Sequence, residues 1–194
     1  MKRKLYLIAL LPLLSIACSK NPIEEKLPAT NADYSRSFFF PRTGTTENVV
    51  TNESTTITLL SYYNSLNALA VGLEVNLPSG TDQLNLTIKK DKLKTGIVGD
   101  YIISPFLTAG KPEGDVDVSY GYSRTPPQTL FILPGAAEGI LHITDYNEKY
   151  KLLKGNFTLR INSDKDPRVA TTTVWENTQI DVTGSFENLQ IKPQ

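Results

Sequence analysis

The single histidine of this chain limits the catalytic chemistry that its sequence can support. His142 is the only residue that could supply the imidazole of a Ser-His-Asp triad, and no Gly-x-Ser-x-Gly turn supplies a serine for it. The same count excludes a metal centre built from several histidines. Because His142 falls on a predicted strand, we interpret it as a partly exposed structural residue, and we predict no catalytic residues.

Oxygen ligands for a metal ion occur together in one segment, residues 162–168. Asn162, Asp164 and Asp166 could gather around Ca²⁺, but that ion takes about six to eight oxygens. We therefore interpret the segment as a polar connection between two strands. The sequence also has no glycine-rich phosphate loop, and we predict that the domain folds and works with no metal and no cofactor.

Acidic and aromatic side chains leave two further kinds of site open. Glycoside hydrolysis needs two opposed carboxylates, and the sequence singles out no pair among its 20 Asp and Glu residues. Aromatic rings could form a platform for sugars or peptides, although we favour packing in the core and across strands. The rings concerned are Tyr62, Tyr63, Tyr120, Tyr122 and Trp175.

The N-terminus carries the clearest signal. Three basic residues, Lys2, Arg3 and Lys4, precede an uncharged run over residues 5–17. That run is too short to cross the roughly 30 Å hydrocarbon core of a bilayer as a finished helix, so it predicts a signal peptide. It ends in Ser15-Ile16-Ala17-Cys18, with small residues one and three positions before the cysteine.

These four residues resemble the lipobox of bacterial lipoproteins. The resemblance implies a signal peptide over residues 1–17, cleavage before Cys18, and acylation of the cysteine sulfur and of the new amino group. Two or more acyl chains anchor a protein stably to a membrane, whereas one chain gives marginal binding. An ordinary secretory signal with a nearby cysteine is the alternative. Cys18 is the only cysteine, so no intramolecular disulfide can form.

The mature chain divides into a tether and one domain. Residues 18–35 contain prolines and charges without an apolar period, so we expect the lipid anchor and a flexible linker there. Residues 36–194 form the predicted domain, which is long enough to bury its own core. The 20 basic residues of the whole chain, three of them in the signal peptide, do not exceed its 20 acidic ones. Nucleic acid is therefore not an expected partner.

Apolar residues recur at every second position from Phe38 onward, which is typical of strands with one buried face. Residues 69–77 and 84–88 alternate on either side of Pro78-Ser79-Gly80 and predict a hairpin, and residues 139–144 and 153–161 predict another. The sequence thus predicts an all-β fold, a single antiparallel β-sandwich or barrel-like domain of roughly 9 to 11 strands.

Two local features depart from simple alternation. The apolar phase shifts by one position after Phe186, and a β-bulge near Glu187-Asn188 would return Leu189 and Ile191 to the core face. A short helix around residues 59–66 is an alternative to a strand there, because polar residues interrupt that apolar stretch.

Three motifs of the C-terminal third suggest a family. They are Gly139-Ile140-x-x-Ile143-Thr144-Asp145-Tyr146, Leu153-x-Gly155-x-Phe157-x-Leu159, and Val182-Thr183-Gly184-Ser185-Phe186-x-x-Leu189. Together they resemble the ending of uncharacterised envelope lipoproteins that are common in Bacteroidota. The resemblance implies a β-rich fold in the cell envelope, at the outer membrane, with no catalytic residues to carry over. Acidic residues directly after the cysteine often accompany surface export in that phylum. Here Glu24 and Glu25 come later, so the periplasmic and the surface-facing side both stay open.

Three functional classes agree with these observations. The favoured class is a non-enzymatic binding or structural lipoprotein, held to the membrane through Cys18, with an envelope protein or a glycan as partner. A barrel-like carrier of a small hydrophobic ligand is the second, and it predicts an enclosed apolar cavity of roughly 300 to 1,000 Å³. The third is a carboxylate-based, glycan-active enzyme, which predicts two acids with divergent pKa values in one cleft.

Overall fold

Strands make up most of the chain that the structure describes. In a computed structural model, the described residues are 26–50, 56–78, 80–104, 113–124, 128–132, 137–166 and 175–193. They form eleven strands: β1 (Asn31–Phe40), β2 (Thr45–Val50), β3 (Thr56–Tyr63), β4 (Leu69–Leu77), β5 (Gly80–Ile88), β6 (Gly99–Ile103), β7 (Val116–Arg124), β8 (Gln128–Ile132), β9 (Ala137–Asn147), β10 (Leu152–Lys165) and β11 (Trp175–Lys192). One 3₁₀ turn, Lys90–Lys92, is the other regular element among them. The predicted all-β class is confirmed. No helix in these ranges has the length and hydrophobicity needed to cross a bilayer.

The two predicted hairpins form where the alternation is most regular. β4 pairs antiparallel with β5 from Leu69 opposite Ile88 to Leu77 opposite Gly80. β9 pairs antiparallel with β10, with Asn147 opposite Leu152 at the turn. Since successive side chains of a strand point to opposite faces, one face of each hairpin is buried and the other is largely exposed, although Ala70 on the outer face of β4 is buried as well.

The strands form one sheet that curls into a nearly closed barrel. Its order is β6-β9-β10-β11-β3-β4-β5-β7-β8, with β1 paired to β11 and β2 paired to β1. β11 joins the two halves, because Ile191 and Lys192 pair in parallel with Ser61 and Tyr62 of β3. The other pairs in the described sheet are antiparallel.

The barrel closes between β6 and β7. The amide of Asp115 donates to the carbonyl oxygen of Ile102 at 2.7 Å. The amide of Ile102 donates in return to a carboxylate oxygen of Asp115 at 2.9 Å. This contact joins β6, at one end of the sheet order, to the start of β7, which is the neighbour of β8 at the other end.

Side chains from both halves of the sheet meet in one continuous core. Phe157 of β10 and Phe186 of β11 are buried there, as predicted. The ring of Phe38 packs edge-on against Tyr122 of β7, with 5.5 Å between centroids. Each member of this cluster lies between Tyr34 and Ile191. That span therefore holds a complete core of its own and can fold without the segment that precedes it.

Two glycines on neighbouring strands make room for two phenylalanine rings. In the register of β10 and β11, Gly155 lies opposite Phe186, and Phe157 lies opposite Gly184. A Cβ atom at Gly155 would lie 2.7 Å from Cζ of Phe186, and one at Gly184 would lie 2.6 Å from Cζ of Phe157. Each ring thus covers the glycine of the other strand, which explains why both strands carry Gly-x-Phe.

The predicted bulge in the last strand is confirmed. Leu153 of β10 lies opposite Leu189 of β11, and Gly155 lies opposite Phe186. Between these pairs, one residue of β10 therefore faces two residues of β11. Asn188 takes the left-handed conformation, with φ of 56°. Asparagine is among the residues that tolerate this conformation best. The extra residue returns Leu189 and Ile191 to the core face.

The predicted linker over residues 18–35 is too long. β1 begins at Asn31, so residues 31–35 belong to the sheet, and the domain includes them instead of starting at residue 36. The alternation of apolar residues conceals this beginning, because the core-facing position between Tyr34 and Phe38 is occupied by the charged Arg36.

Two further predictions about local structure are wrong. Residues 59–63 lie in β3 and residues 65–66 form a turn, so the alternative short helix does not form. Pairing of β3 with β4 along its whole length supplies partners for its backbone groups. β10 continues to Lys165, so Asn162 and Asp164 are strand residues instead of members of a connection. Asn162 lies opposite Gln179 of β11, and Asp164 lies at an irregularity of the same pairing between Ser163 and Lys165.

Candidate functional site

Cys18, the predicted lipidation site, and the predicted signal peptide lie outside the described residues. The structure does place the point where the chain enters the domain. Thr30 Oγ1 donates to Asn188 O at 3.0 Å, and Asn188 Nδ2 donates to Ala29 O at 3.1 Å. These bonds hold the entry against the end of β11. We call this end of the barrel the tether end; it comprises residues 26–30, 64–68, 89–98, 113–115, 147–151 and 192–193.

The barrel interior contains a polar cluster that connects its two halves. Arg36 of β1 and Asp82 of β5 are both fully buried, with 3.1 Å between Nε and Oδ2. The N–H of Nε is not aligned with that oxygen for a hydrogen bond, so the contact is mainly Coulombic. Tyr120 of β7 donates its hydroxyl to Asp82 Oδ1 at 2.6 Å. Strands β1 and β5 are not neighbours in the sheet, so the ion pair braces the interior from wall to wall.

Aromatic rings flank the guanidinium group of Arg36. Its Cζ lies 3.6 Å from the centroid of the Phe38 ring and 5.0 Å from that of Tyr122. Nη1 and Nη2 are buried without an acceptor among the described residues. Cation–π attraction of this kind is worth about 2 kcal/mol or more when the cation is desolvated. The rings thus replace part of the hydration that the guanidinium loses.

Burial changes the acidity of three groups in this cluster. Loss of solvent raises the pKa of Asp82 above its ordinary value, although the charge of Arg36 and the bond from Tyr120 oppose the rise. Burial also raises the pKa of Tyr34 and of Tyr120 well above that of a free tyrosine. With Arg36 and Asp82 closed off from solvent, the arrangement suits a structural brace and not proton exchange with a substrate.

The outer wall of the barrel carries a second arrangement of polar groups. Side chains in register form a row across β6, β9, β10, β11 and β1 that consists of Asp100, His142, Asn156, Ser185 and Asp33. We call this wall the outer polar face. Most of its side chains are short and can donate or accept hydrogen bonds, so it can bind a polar partner without large rearrangement.

An open groove of about 640 Å³ lies on the outer polar face beside this row. Gly139, Thr158 and Thr183 contribute to its floor. A Cβ atom at Gly139 would lie 2.0 Å from the carbonyl oxygen of Thr158, so only glycine allows these strands to approach so closely. At the rim, Arg160 Nε donates to Asp181 Oδ1 at 2.7 Å. The groove thus combines a small-residue floor with a charged rim.

His142 lies on this face as a half-exposed residue, as predicted. Its Nδ1 is 2.6 Å from Asp100 Oδ1. A histidine and an aspartate in contact are two members of a hydrolytic triad. Among the described residues, however, no serine or threonine hydroxyl forms a hydrogen bond with its other nitrogen. The pair by itself orients an imidazole and supplies no nucleophile.

The structure separates the remaining candidates. Tyr120 and Tyr122 are in the core, as favoured, while Tyr62 is 37% exposed on the outer surface of β3. The side chains of Trp175 and Asp164 lie outside what the structure describes. Asp166 is buried. Within the described ranges, no three His, Cys, Asp or Glu residues are grouped as metal ligands would be.

Comparisons with family models, with curated proteins and with solved structures give no match. The geometry and the sequence therefore carry the functional argument.

Arg36 and Asp82 are not among the residues that the sequence singles out. The signal was present in the phase of their strands, because Arg36 alternates with Tyr34 and Phe38. Asp82 likewise alternates with core residues such as Leu84 on β5. A charged residue at a core-facing position on each of two strands predicts a buried pair, since an unpaired buried charge is very costly.

Proposed function

We propose that this chain is a bacterial lipoprotein that is anchored at the outer membrane through lipid on Cys18 and holds a partner in the cell envelope without catalysing a reaction. The observation that carries the proposal is Ser15-Ile16-Ala17-Cys18 after a basic N-terminus and an uncharged run.

The outer polar face is the surface that we assign to the partner. Its groove is open along the wall, so it suits an extended peptide segment of an envelope protein or a glycan chain. Its row of Asp, Asn and Ser side chains offers donors and acceptors in a fixed register. The His142–Asp100 pair adds a planar ring at one end of the row. These features support recognition, and none of them requires a catalytic step.

A carrier of a small hydrophobic ligand is the alternative that the barrel-like sheet keeps open, because closed sheets often enclose ligands. The brace of Arg36 and Asp82 crosses the described interior, and the ring of Phe38 packs against it. A braced and aromatic-filled interior favours the binding lipoprotein. A glycan-active enzyme needs two acids that face each other. The buried carboxylate with a raised pKa is Asp82, and it faces Arg36 instead of a second acid.

Metabolic labelling tests the anchor. The full chain and its Cys18→Ala variant are expressed in a bacterial host that processes lipoproteins, with labelled palmitate in the medium. The wild type should incorporate the label and sediment with membranes, and Cys18→Ala should do neither. Equal labelling of the two proteins would refute the anchor.

Photo-crosslinking tests the binding face separately. A photoreactive residue in place of Thr158, in the groove, should give one dominant crosslinked product with an envelope component. The same residue in place of Thr58, which is exposed on β3 in the other half of the sheet, is the matched control. Equal products from both positions would mean that the groove has no special role.

A further inference from the structure

Six segments of the chain meet at the tether end because of the strand directions, and they include residues 113–115 before β7, whose Val116 lies opposite Ile88 at the end of β5. β11 ends there, and so does β3, which runs parallel to it. β1 and β10 begin there, since both run antiparallel to β11. β5 also ends there, because its last residue lies opposite the first residue of β4. The connections between these strands therefore form one surface, although they are far apart in the sequence.

This surface has an excess of basic side chains. Residues 26–30, 64–68, 89–98, 147–151 and 192–193 contain eight lysines and two acidic residues, Asp91 and Glu148, and residues 113–115 at the same end add Glu113 and Asp115. Lys89 is engaged by Glu113, with 2.6 Å between Nζ and Oε1. Lys26, Lys90 and Lys192 are exposed. The basic excess is local, because the whole chain has equal numbers of basic and acidic residues.

Apolar side chains project from the same surface. Leu66 is 74% exposed at the tip of the β3–β4 turn. The side-chain oxygen of Asn64 accepts hydrogen bonds from the amides of Leu66 and Ala68, at 2.9 and 3.0 Å, so the turn holds Leu66 outward. Val98, which is 45% exposed, follows a loop that is fixed by a 2.6 Å hydrogen bond from the Tyr101 hydroxyl to the carbonyl oxygen of Ile97.

The tether also leads to this end. Twelve residues separate Cys18 from Asn31. If the linker is flexible, as the sequence predicts, a chain of that length has a root-mean-square span of about 20 Å. If Cys18 carries lipid, as the proposed function holds, the tether end is thus kept near the bilayer surface. A basic surface with protruding apolar side chains fits the headgroup region of a membrane that contains anionic lipids.

We infer that the tether end is a membrane-docking surface, which rests against anionic lipid through its lysines and inserts Leu66 and Val98 among the headgroups. This inference rests on the proposed lipoprotein function for its orientation. The docking adds a second contact to the lipid anchor and fixes the direction of the barrel. The outer polar face then stands along the barrel wall, where a partner can reach it.

Vesicle binding by the unlipidated protein tests this inference. Residues 19–194 contain no cysteine and include the whole described core, so the result does not depend on lipidation. The protein should sediment with vesicles of phosphatidylcholine and phosphatidylglycerol and not with vesicles of phosphatidylcholine alone. Binding should disappear at about 1 M salt, where the Debye length falls to about 3 Å.

Variants locate the contact. Lys26→Gln, Lys90→Gln and Lys192→Gln together should weaken binding on the order of a hundredfold, at about fivefold for each lysine. Leu66→Ser should weaken it about tenfold. The controls are Arg42→Gln, in the turn at the opposite end, and Leu60→Ser, exposed in the middle of β3; both should bind like the wild type.

Three outcomes would overturn the inference: no binding to anionic vesicles, equal loss in the control variants, or self-association of the protein through Leu66 in place of vesicle binding. Thermal melts of each variant confirm that it is folded before binding is measured. Failure here with normal palmitate labelling of the full chain would refute the docking surface alone. Binding here without labelling would refute the lipid anchor alone.

Discussion

Breaking the buried ion pair between Arg36 and Asp82 should destabilise the domain far more than breaking the exposed pair between Arg160 and Asp181. The two pairs have similar separations, 3.1 and 2.7 Å, but the first is closed off from solvent and the second is 51% and 38% exposed. They therefore compare one chemistry in two environments. The perturbations are Asp82→Asn and, as its control, Asp181→Asn.

The expected magnitude follows from burial. Asp82→Asn keeps the shape of the side chain and leaves the guanidinium of Arg36 charged, because arginine does not lose its proton in proteins. Removing one partner of a buried pair costs about 3 to 5 kcal/mol. An exposed pair is worth about 0.2 to 1 kcal/mol. Since small domains are stable by about 5 to 15 kcal/mol, the first substitution should remove a large part of the stability.

The reverse substitution should depend on pH. Arg36→Met removes the charge that opposes the rise in the pKa of Asp82, so that pKa should rise further. A raised carboxyl pKa favours folding below the unfolded value of about 3.9, and this contribution is lost as the pH rises through the folded pKa. The cost of Arg36→Met should therefore be large near neutral pH and smaller towards about pH 4. Asp82→Asn should show no such recovery.

Urea unfolding of residues 19–194, followed by circular dichroism, measures these free energies. The double variant Arg36→Met with Asp82→Leu should recover most of the loss, because apolar replacements of a buried pair are often neutral or stabilising. A cost below about 1 kcal/mol for Asp82→Asn would refute the reasoning. So would equal costs for Asp82→Asn and Asp181→Asn.

Three further predictions concern the fold and its ligands. Phe157→Ala should cost about 3 to 5 kcal/mol in urea unfolding, whereas Thr158→Ala, on the wet face of the same strand, should cost well under about 1 kcal/mol; equal costs would mean that the strand phase is wrong. Because the pKa of Tyr120 is raised in the folded state, its neutral hydroxyl stabilises the fold below the unfolded pKa of about 10, and this contribution is lost as the pH rises further. Tyrosinate absorbance should therefore show the ionisation of Tyr120 only together with unfolding. Tyr120→Phe should make the alkaline loss of stability less steep, and an unchanged slope would contradict this. Thermal melts with EDTA and with millimolar Ca²⁺ should coincide; a rise of several degrees with calcium that Asp166→Ala abolishes would show that a site near that residue binds the ion.

Sequence patterning was sufficient for most of the sheet because one face of each strand is apolar. The β4–β5 and β9–β10 hairpins and the bulge at Asn188 all follow from apolar phase and turn residues. A one-residue slip would turn a whole strand inside out, so the phase strongly constrains the pairing.

The errors occur where a polar residue occupies a core position. Arg36 hides the first strand, and Ser61 on the core face of β3 makes that segment resemble a broken apolar run. The burial of Arg36 depends on Asp82 from a distant part of the chain, which a local pattern does not contain. Closure of the barrel could not be predicted from a local pattern either, because the contact between β6 and the start of β7 forms only in the folded sheet.

The tether end could not be predicted from local sequence for the same reason. Its lysines are dispersed over four segments, and only the strand directions bring them to one surface. A single exposed leucine such as Leu66 is common on protein surfaces and does not by itself indicate a binding site. Its position beside those lysines gives it a functional interpretation.

Mass spectrometry of the mature protein tests the central claim most directly. The membrane fraction of a lipoprotein-processing host is extracted with detergent, and the N-terminal peptide is isolated after proteolysis. We expect a peptide that begins at Cys18 and carries the mass of a diacylglycerol on sulfur, with a further acyl chain on the amino group. A peptide that begins at another residue, or an unmodified Cys18, would contradict it.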